Sequence, residues 1–385
     1  MGPRRVQTRV LIACPGLDHV GRGFETLARE CFEALRTEGS LDVRLVKGSG
    51  PRRAGELVAP TVQRRSGIAR AAGRVLRRDS YDIEQTGFAL ALLPTLAKLR
   101  PDVVCVSDLL VSRALARWRA RRRFAFKLVV SNGGPYPPEL LHHADHVQQL
   151  TEPALQFVLD AGEPPERHTV LPLGVKMAPS LNLPTSAERR RLRSALDLPT
   201  DRRLVISVAA LNRYHKRVDY LIEEIASLPA PRPYVVLLGA EDKETPGIRS
   251  LAASLLGDEG HVIRSVPSDR MADYYRAADI FALASVGEAF GRVMVEAMAH
   301  GLPCLAHDAP VQRYLLGQHG ILGDFNRRGE LARLIAGLPE REFEPEVAHE
   351  RHRAVYERFS WDALAPRYAE LLRRCARTAR GQSRG

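Results

Sequence analysis

The chain has 385 residues, of which 45% are hydrophobic, and it carries a net charge of +12. This length is enough for two domains, and the hydrophobic content excludes a chain that is disordered throughout. No apolar run approaches the roughly 20 residues that span a bilayer, and the first apolar segment is typical of a strand rather than a signal peptide. We therefore expect a cytoplasmic protein.

The composition also limits the partners and cofactors. Five scattered cysteines without a C-x-x-C pair indicate buried, reduced thiols rather than disulfides or a metal site. Only six of the 57 basic residues are lysines, a bias typical of genome composition, so the charge does not by itself indicate a nucleic-acid partner. The positive potential still favours nucleotide sugars, phosphorylated acceptors or an anionic membrane surface.

The pattern predicts a first strand over residues 9–14 and an amphipathic helix over 24–36. The loop between them contains Gly21 and Gly23, which match the first two glycines of a dinucleotide fingerprint. The third glycine position is Thr26, and no acidic residue closes the following strand, so an NAD site is disfavoured. An ordinary tight turn remains one interpretation of this loop.

The segment 64–78 is basic and moderately amphipathic. Such a segment can lie on an anionic membrane or bind an acidic acceptor, and it can equally be a solvated face of an arginine-rich protein. The stretch 113–127 has the same two interpretations. The arginines of the first segment are Arg64, Arg65, Arg70, Arg74, Arg77 and Arg78.

Buried strands alternate with helices along the rest of the chain. Strands are predicted at 103–107, 126–131 and 145–150, and a second series begins at 204–208. This alternation predicts two doubly wound, Rossmann-like α/β sheets in series. Ligands of such sheets bind at the carboxyl ends of the strands, which predicts a site in the cleft between the two domains.

Two stretches of the second domain carry the chemistry. Residues 280–308 form a strand, a tight loop, a helix and a further strand, and Gly291 at the helix start lets a ligand anion approach the backbone. Glu288 and Glu296 frame this helix start, and their carboxylates can accept hydrogen bonds from sugar hydroxyls. The alternative is that Glu288 only partners the helix dipole and that Glu296 is solvated.

The other stretch is the loop 211–217, which follows a buried strand and supplies Arg213 and Lys216. Positive charges at that place can neutralise a diphosphate leaving group as its bond to the sugar breaks. The alternative role of both residues is surface charge.

The run E-A-F-G-R-V-M-V-E-A-M-A-H-G-L-P resembles the donor-binding motif of retaining GT-B glycosyltransferases of the family-4 type. The resemblance implies two Rossmann-like domains that face a central cleft. Residues 1–176 are expected to bind the acceptor, with a C-terminal helix over 360–376 packing back on them. Residues 177–358 are expected to bind the nucleotide sugar.

The resemblance also assigns roles. Glu288 is expected to contact the transferred sugar and Glu296 the ribose, while Lys216 matches the family's lysine and Arg213 is chosen as its arginine. The diphosphate is expected on the backbone amides of the helix start. These amides belong to Phe290, Gly291 and Arg292.

Two expectations concern the first domain. In the family a glycine-rich loop in the place of Gly21 and Gly23 lies near the donor phosphate and the acceptor. Asn132 takes the place of a histidine that positions the sugar in many members, and an amide cannot carry the proton that an imidazole can. Three histidines could substitute for it, namely His19, His142 and His143.

These observations predict a retaining glycosyltransferase. It would move a sugar from a nucleoside-diphosphate sugar to a hydroxyl of a polysaccharide, glycolipid or natural product, without a metal or other cofactor. Segment 64–78 would provide peripheral contact with the inner membrane face, and no nucleic acid is expected. A GT-B epimerase or hydrolase is one alternative. A non-catalytic basic protein that binds nucleic acid or membrane is another, and the intact pair Glu288 and Glu296 argues against it.

Overall fold

The computed structural model describes residues 7–20, 23–122, 124–134 and 136–382. These residues fall into two units: unit 1 is drawn from residues 1–176 and 360–385, and unit 2 from residues 177–359. Each unit contains one parallel sheet with helices on both faces, so the prediction of two doubly wound, Rossmann-like α/β domains is confirmed.

The sheet of unit 1 has seven parallel strands in the order β3-β2-β1-β4-β5-β6-β7. In the centre of this sheet Val10 pairs with Val43 on one side and with Val103 on the other. Because helices cover both faces, the central strands are runs of apolar residues rather than alternating ones. The strands are β1 (Thr8–Cys14), β2 (Leu41–Lys47), β3 (Glu56–Val58), β4 (Val103–Val106), β5 (Lys127–Asn132), β6 (His146–Gln149) and β7 (His168–Val170).

The helices of unit 1 include one that the sequence pattern did not reveal. This helix, α3, is capped by Asp79, and it buries Phe88, Leu92 and Leu96 against the sheet. Its apolar residues lie on several sides, so no helical periodicity marked it. The helices are α1 (Gly23–Glu38), α2 (Gly67–Leu76), α3 (Ser80–Leu99), α4 (Leu109–Arg122) and α5 (Glu152–Asp160).

The sheet of unit 2 has six parallel strands in the order β10-β9-β8-β11-β12-β13. The chain order reverses between β8 and β11, which is where ligands bind in open sheets of this type. The strands are β8 (Leu204–Val208), β9 (Tyr234–Leu238), β10 (His261–Arg264), β11 (Ile280–Leu283), β12 (Cys304–His307) and β13 (Gly320–Gly323).

Eight helices surround this second sheet in the described part of the chain. The first of them is α6, and Thr185 and Glu188 form a capping box at its start. The helices are α6 (Ser186–Ala195), α7 (Val218–Ala226), α8 (Thr245–Leu256), α9 (Met271–Ala277), α10 (Arg292–Ala299), α11 (Pro310–Leu316), α12 (Glu330–Ala336) and α13 (Pro345–Phe359).

The last helix, α14 (Trp361–Gln382), belongs to unit 1. Ser360 caps it, because its hydroxyl accepts a hydrogen bond from the backbone N–H of Ala363 at 3.1 Å. The indole of Trp361 donates to Glu30 on α1 at 2.9 Å and packs against Gly174, where a Cβ would collide with it. Within the described residues, no helix is long and apolar enough to cross a membrane.

The thiols depart in part from the prediction of burial. Cys304 is buried, whereas Cys14 and Cys105 are only half-buried although they lie on strands. The reason is a partly open cavity in unit 1 that both residues line.

Candidate active site

The loop between β11 and α10 brings a charged residue close to a helix start. Gly291 adopts φ +74°, which favours glycine, and a Cβ there would collide with the side chain of Met294. The Cγ of Glu288 lies 3.5 Å from the place that this Cβ would occupy. The carboxylate of Glu288 therefore stands beside the backbone that opens α10.

Lys216 and Glu288 form an ion pair in unit 2. The Nζ of Lys216 donates to Oε1 of Glu288 at 2.5 Å, and Ser285 donates to the same oxygen at 2.5 Å. The side chains are only 19% and 8% exposed, so this pair is shielded from solvent more than a surface salt bridge. The carboxylate is thus held by two donors and aligned with a cation.

The loop that carries Lys216 is held by the side chain of Asn212. Its Oδ1 accepts hydrogen bonds from the backbone N–H of His215 at 3.2 Å and of Lys216 at 2.9 Å. These hydrogen bonds from backbone amides to a side chain fix the loop without help from a regular element. The ammonium group is therefore presented from a defined backbone.

Glu296 lies on α10 and is oriented by two neighbours. Arg292 donates to its Oε1 at 2.7 Å, and the hydroxyl of Tyr275 donates to its Oε2 at 3.0 Å. Burial, together with the adjacent carboxylate, raises the pKa of Tyr275 well above its usual value, so this phenol stays a donor. His300 stacks on the Tyr275 ring with centroids 5.1 Å apart. Glu296 is consequently a positioned carboxylate and not a freely solvated one.

The side chain of Phe290 is buried, so only its backbone could contact a ligand. Its ring is buried and packs edge-on against Phe359 at a centroid distance of 5.9 Å. The side chain therefore anchors the loop in the core of unit 2, and the amide remains the group that could face a ligand.

Arg213 is not brought together with the pair of Lys216 and Glu288. It is exposed, and its guanidinium donates to the carbonyl of Gly247 on α8 at 3.4 Å. The neighbouring Arg217 is also engaged elsewhere, because it donates to the carbonyl of Phe325 at 2.8 Å. In this structure Lys216 alone of the basic side chains in loop 211–217 contacts Glu288 among the described contacts.

Of the two glycines that were predicted near the donor phosphate, only Gly23 belongs to the described residues. Gly21 lies outside the described residues. Gly23 is the first residue of α1, so it belongs to the helix and not to the preceding loop as predicted.

Asn132 ends β5 in a buried position. Its Nδ2 donates to Oε1 of Gln149 at 3.0 Å, and its Oδ1 has no hydrogen-bond partner among the described residues. Gln149 in turn contacts Nδ1 of His168 at 3.1 Å. The amide is thus held in a polar network at the carboxyl end of the strand. A hydroxyl group of a ligand could donate a hydrogen bond to its Oδ1.

The three histidines that could replace Asn132 all have partners of their own. His19 contacts Glu84 at 2.7 Å, and His142 contacts Glu163 at 2.6 Å. His143 contacts the hydroxyl of Ser112 at 2.8 Å, and burial lowers its pKa below the usual value. None of them hydrogen-bonds to Asn132 in the described structure.

The sequence analysis missed three residues of the site, namely Asn212, Tyr275 and Ser285. Asn212 follows a buried strand and precedes a helix, which is the sequence signal for a turn-forming side chain. Tyr275 has no such signal, because it reaches Glu296 across 21 positions of the chain. In the described ranges, no group of three or more His, Cys, Asp or Glu side chains could hold a metal ion.

Comparisons with known proteins point to one family. Residues 188–373 match the family model described as "Glycosyl transferases group 1". D-inositol 3-phosphate glycosyltransferase of Thermobispora bispora is 33% identical over 235 residues, which are 56% of this chain and 53% of that protein. A protein named putative teichuronic acid biosynthesis glycosyltransferase TuaC, of Bacillus subtilis, is 31% identical over 194 residues, 50% of this chain and 46% of its own. The matched segments span about half the length of these curated relatives.

Solved structures share the fold over nearly the whole chain. Sucrose-phosphate synthase of Thermosynechococcus elongatus has a TM-score of 0.76 at 18% identity, with 96% of this chain and 99% of that chain covered. Anabaena HepE in complex with UDP-glucose has a TM-score of 0.74 at 17% identity, with 95% and 99% covered. At these identities the likeness shows the fold, which is the GT-B combination of two Rossmann-like units.

Proposed function

Residues 188–373 place this chain in the family of group 1 glycosyl transferases, and on that premise we propose that it is a retaining glycosyltransferase. It would move a sugar from a nucleoside-diphosphate sugar to a hydroxyl acceptor. The acceptor oxygen forms the new bond to the anomeric carbon as the bond to the diphosphate breaks. The hydroxyl proton passes to a diphosphate oxygen on the same face.

The main observation in support of this proposal is the ion pair of Lys216 and Glu288. Burying an ion pair carries a desolvation penalty, which further hydrogen bonds to the two charges reduce. Ser285 provides one such hydrogen bond to Glu288. With a donor bound, Lys216 would turn to the diphosphate, whose negative charge grows in the transition state. Glu288 would then accept a hydrogen bond from a hydroxyl of the transferred sugar.

The helix start and Glu296 supply the rest of the donor site. Gly291 has the left-handed conformation directly before α10, and the dipole of this helix favours an anion there. Glu296, which Arg292 and Tyr275 orient, would accept hydrogen bonds from both hydroxyls of the ribose. HepE, of the same fold, was solved with UDP-glucose, and we propose a ligand of that class for this chain. We propose that Lys216 and this helix start, rather than a metal ion, neutralise the leaving group.

Thermal-shift measurements with UDP-, GDP-, dTDP- and ADP-sugars test the donor. One nucleotide class should raise the melting temperature, and the others should not. The absence of any shift, together with no turnover, would overturn the proposal. Product analysis with and without acceptor then separates a transferase from a hydrolase or epimerase, and NMR of the anomeric proton tests retention.

We also propose that α2 contacts an anionic membrane surface. Its apolar residues point outward: Ile68 is 69% exposed, Val75 82% and Leu76 61%, while the face toward α3 holds only Ala69 and Gly73. The exposed arginines of the helix and its flanks surround these apolar residues, namely Arg65, Arg70, Arg74, Arg77 and Arg78. An apolar strip within a basic surface fits the boundary between acyl chains and anionic headgroups.

Sedimentation with vesicles tests this contact. The protein should bind phosphatidylglycerol vesicles and not phosphatidylcholine vesicles, and the double variant Ile68→Glu and Val75→Glu should lose binding. Phe157→Glu, at an exposed apolar position on α5, is the matched control and should bind like the wild type. Equal binding to both lipids, or equal loss in the control, would contradict the proposal.

A further inference from the structure

Unit 1 contains a cavity of about 210 Å³ that is partly open to solvent. It lies between the sheet on one side and helices α1 and α14 on the other. The side chains of Ile12, Cys105 and Val129 line it from three neighbouring strands. The opposite face of the same strands is closely packed, with Leu11 and Val104 in the apolar core beneath α3 and α4. Most of the cavity therefore lies on one face of the sheet, and at the carboxyl ends of the strands its wall also includes Tyr81 of α3.

The walls of the cavity are mainly apolar. Helix α1 contributes Leu27, Cys31 and Leu35, and α14 contributes Tyr368 and Leu372. Burial raises the pKa of the Cys31 thiol to about 12, so this cysteine remains a neutral, weakly polar group. A concave, mainly apolar space that is partly open to solvent and has a few polar groups at one end is typical of a small-molecule site.

One end of the cavity is polar. Asp108 follows β4, and it accepts hydrogen bonds from the backbone N–H of Leu110 at 3.0 Å and of Val111 at 3.2 Å. The hydroxyl of Tyr81 donates to the same carboxylate, and the guanidinium of Arg64 lies 4.7 Å from the centre of the Tyr81 ring. Charged and hydroxyl groups thus meet the apolar walls at the carboxyl ends of the strands.

A buried hydroxyl in the cavity wall lacks a partner. The Oγ of Ser131, near the carboxyl end of β5, is inaccessible to solvent and makes no hydrogen bond with the described residues. Leaving a buried hydroxyl unpaired is unfavourable, and a change of the Ser131 rotamer would let this hydroxyl bond a polar atom of a ligand at the same level. Ser131 lies two residues beyond Val129 on the same face of the strand. At this level the lining of the cavity changes from apolar to polar.

We propose that this cavity binds the apolar part of the acceptor, so that the acceptor is an amphipathic alcohol with a compact hydrophobic group. The hydroxyl-bearing end would lie at the polar end, within reach of Ser131 and Asp108. An engineered apolar cavity of about 150 Å³ holds benzene, so the present one suits a group of about six to ten carbon atoms. The assignment of the ligand as acceptor rests on the proposed function, whereas the binding of an amphipathic alcohol does not.

Calorimetric titration with 4-alkylphenols, in the absence of any nucleotide sugar, tests the site. From phenol to 4-butylphenol, each added methylene should tighten binding about fourfold, because each is removed from water. Affinity should stop rising or fall at 4-octylphenol, once the cavity is filled. No measurable binding of any member, or a rise that continues unbroken to the longest chain, would overturn the proposal.

Variants locate the binding within the molecule. Ala28→Phe and Cys31→Phe place a ring in the cavity and should weaken 4-butylphenol binding about tenfold or more, since the space is then occupied. Glu33→Phe adds the same ring to an exposed position of the same helix and should leave the affinity unchanged. Ser131→Ala should weaken 4-butylphenol about fivefold and leave butylbenzene unaffected, because only the phenol offers a polar partner. Equal effects of Glu33→Phe and Cys31→Phe would place the binding outside the cavity.

A nucleotide-sugar thermal shift on the same variants separates the two proposals. Its persistence in Ala28→Phe or Cys31→Phe shows that the variant is folded. If nucleotide sugars stabilise the wild type and no alkylphenol binds, the cavity proposal fails and the proposed function stands. If alkylphenols bind and no nucleotide sugar does, the proposed function fails and the cavity is a site for another amphipathic ligand.

Discussion

The Nζ of Lys216 lies 2.5 Å from Oε1 of Glu288, although 72 positions of the chain separate the two residues. The first ends a loop after β8, and the second lies in the loop after β11, the neighbouring strand. Adjacent parallel strands deliver their following loops to the same edge of the sheet. The pair is thus a direct product of the strand order.

Lys216→Ala should lower turnover about 10²–10³-fold, as does the loss of one group that stabilises a developing anion. It also leaves the nearly buried carboxylate of Glu288 without its cation, which destabilises the free enzyme. Steady-state kinetics with saturating acceptor measure the effect. Arg213→Ala is the control from the same loop and should change turnover less than about threefold, because exposed charges contribute little. A larger loss with Arg213→Ala than with Lys216→Ala would contradict this assignment.

Alanine variants of Glu288 and Glu296 should differ in their affinity for a nucleoside diphosphate that carries no sugar. Glu296→Ala should weaken its binding, because the ribose is common to substrate and product. Glu288→Ala should leave that affinity nearly intact and abolish turnover or sugar selectivity. Calorimetry with the nucleotide identified by thermal shift distinguishes them. Wild-type affinity in both variants, or loss in Glu288→Ala alone, would show that the roles are assigned wrongly.

Gly291→Ala should impair both folding and donor binding. The residue has φ +74°, and the added Cβ would collide with Met294, so we expect a loss of about 1–3 kcal/mol in unfolding free energy. Chemical denaturation and nucleotide titration provide the two measurements. Gly287→Ala in the same loop is the matched control, because its Cβ would meet no atom within 4 Å. If the two variants behave alike, the special conformation of Gly291 is not needed.

Stability should rise with pH between about pH 4 and 6.5 through His146. Burial lowers the pKa of this residue from 6.5 to about 4, with a smaller contribution from Arg374. The unfolded chain therefore binds a proton below pH 6.5 that the folded chain does not bind until about pH 4, and acid favours unfolding over that window. His146→Gln should flatten this dependence in urea denaturation series. The exposed His349→Gln is the control, and an unchanged slope in His146→Gln would refute the assignment.

Turnover should persist in EDTA. The proposed site neutralises the diphosphate with Lys216 and the helix start, so removal of divalent ions should not slow the reaction severalfold. Assays with EDTA and with added Mg²⁺ or Mn²⁺ decide the point. Complete loss in EDTA that only a divalent ion restores would be the contrary result.

The sequence alone was sufficient to predict the two α/β sheets and the strand–loop–helix unit that carries Glu288 and Glu296. Both depend on local information: continuous apolar runs mark buried strands, and a glycine directly before a helical pattern marks a helix start. Helix α3 escaped prediction because its apolar residues follow no single face, and burial in the tertiary fold rather than periodicity stabilises it.

Tertiary structure decided which charges meet. Lys216 and Arg213 are three positions apart and each carries one positive charge, yet only Lys216 contacts Glu288. Asn212 fixes the loop before Lys216, and Arg213 donates to the carbonyl of Gly247 instead. The hydrogen bond from Tyr275 to Glu296 and the cavity between α1, α14 and the sheet likewise join distant parts of the chain. No periodicity encodes such contacts, since they arise from strand order and helix packing, and only the folded chain brings them within reach.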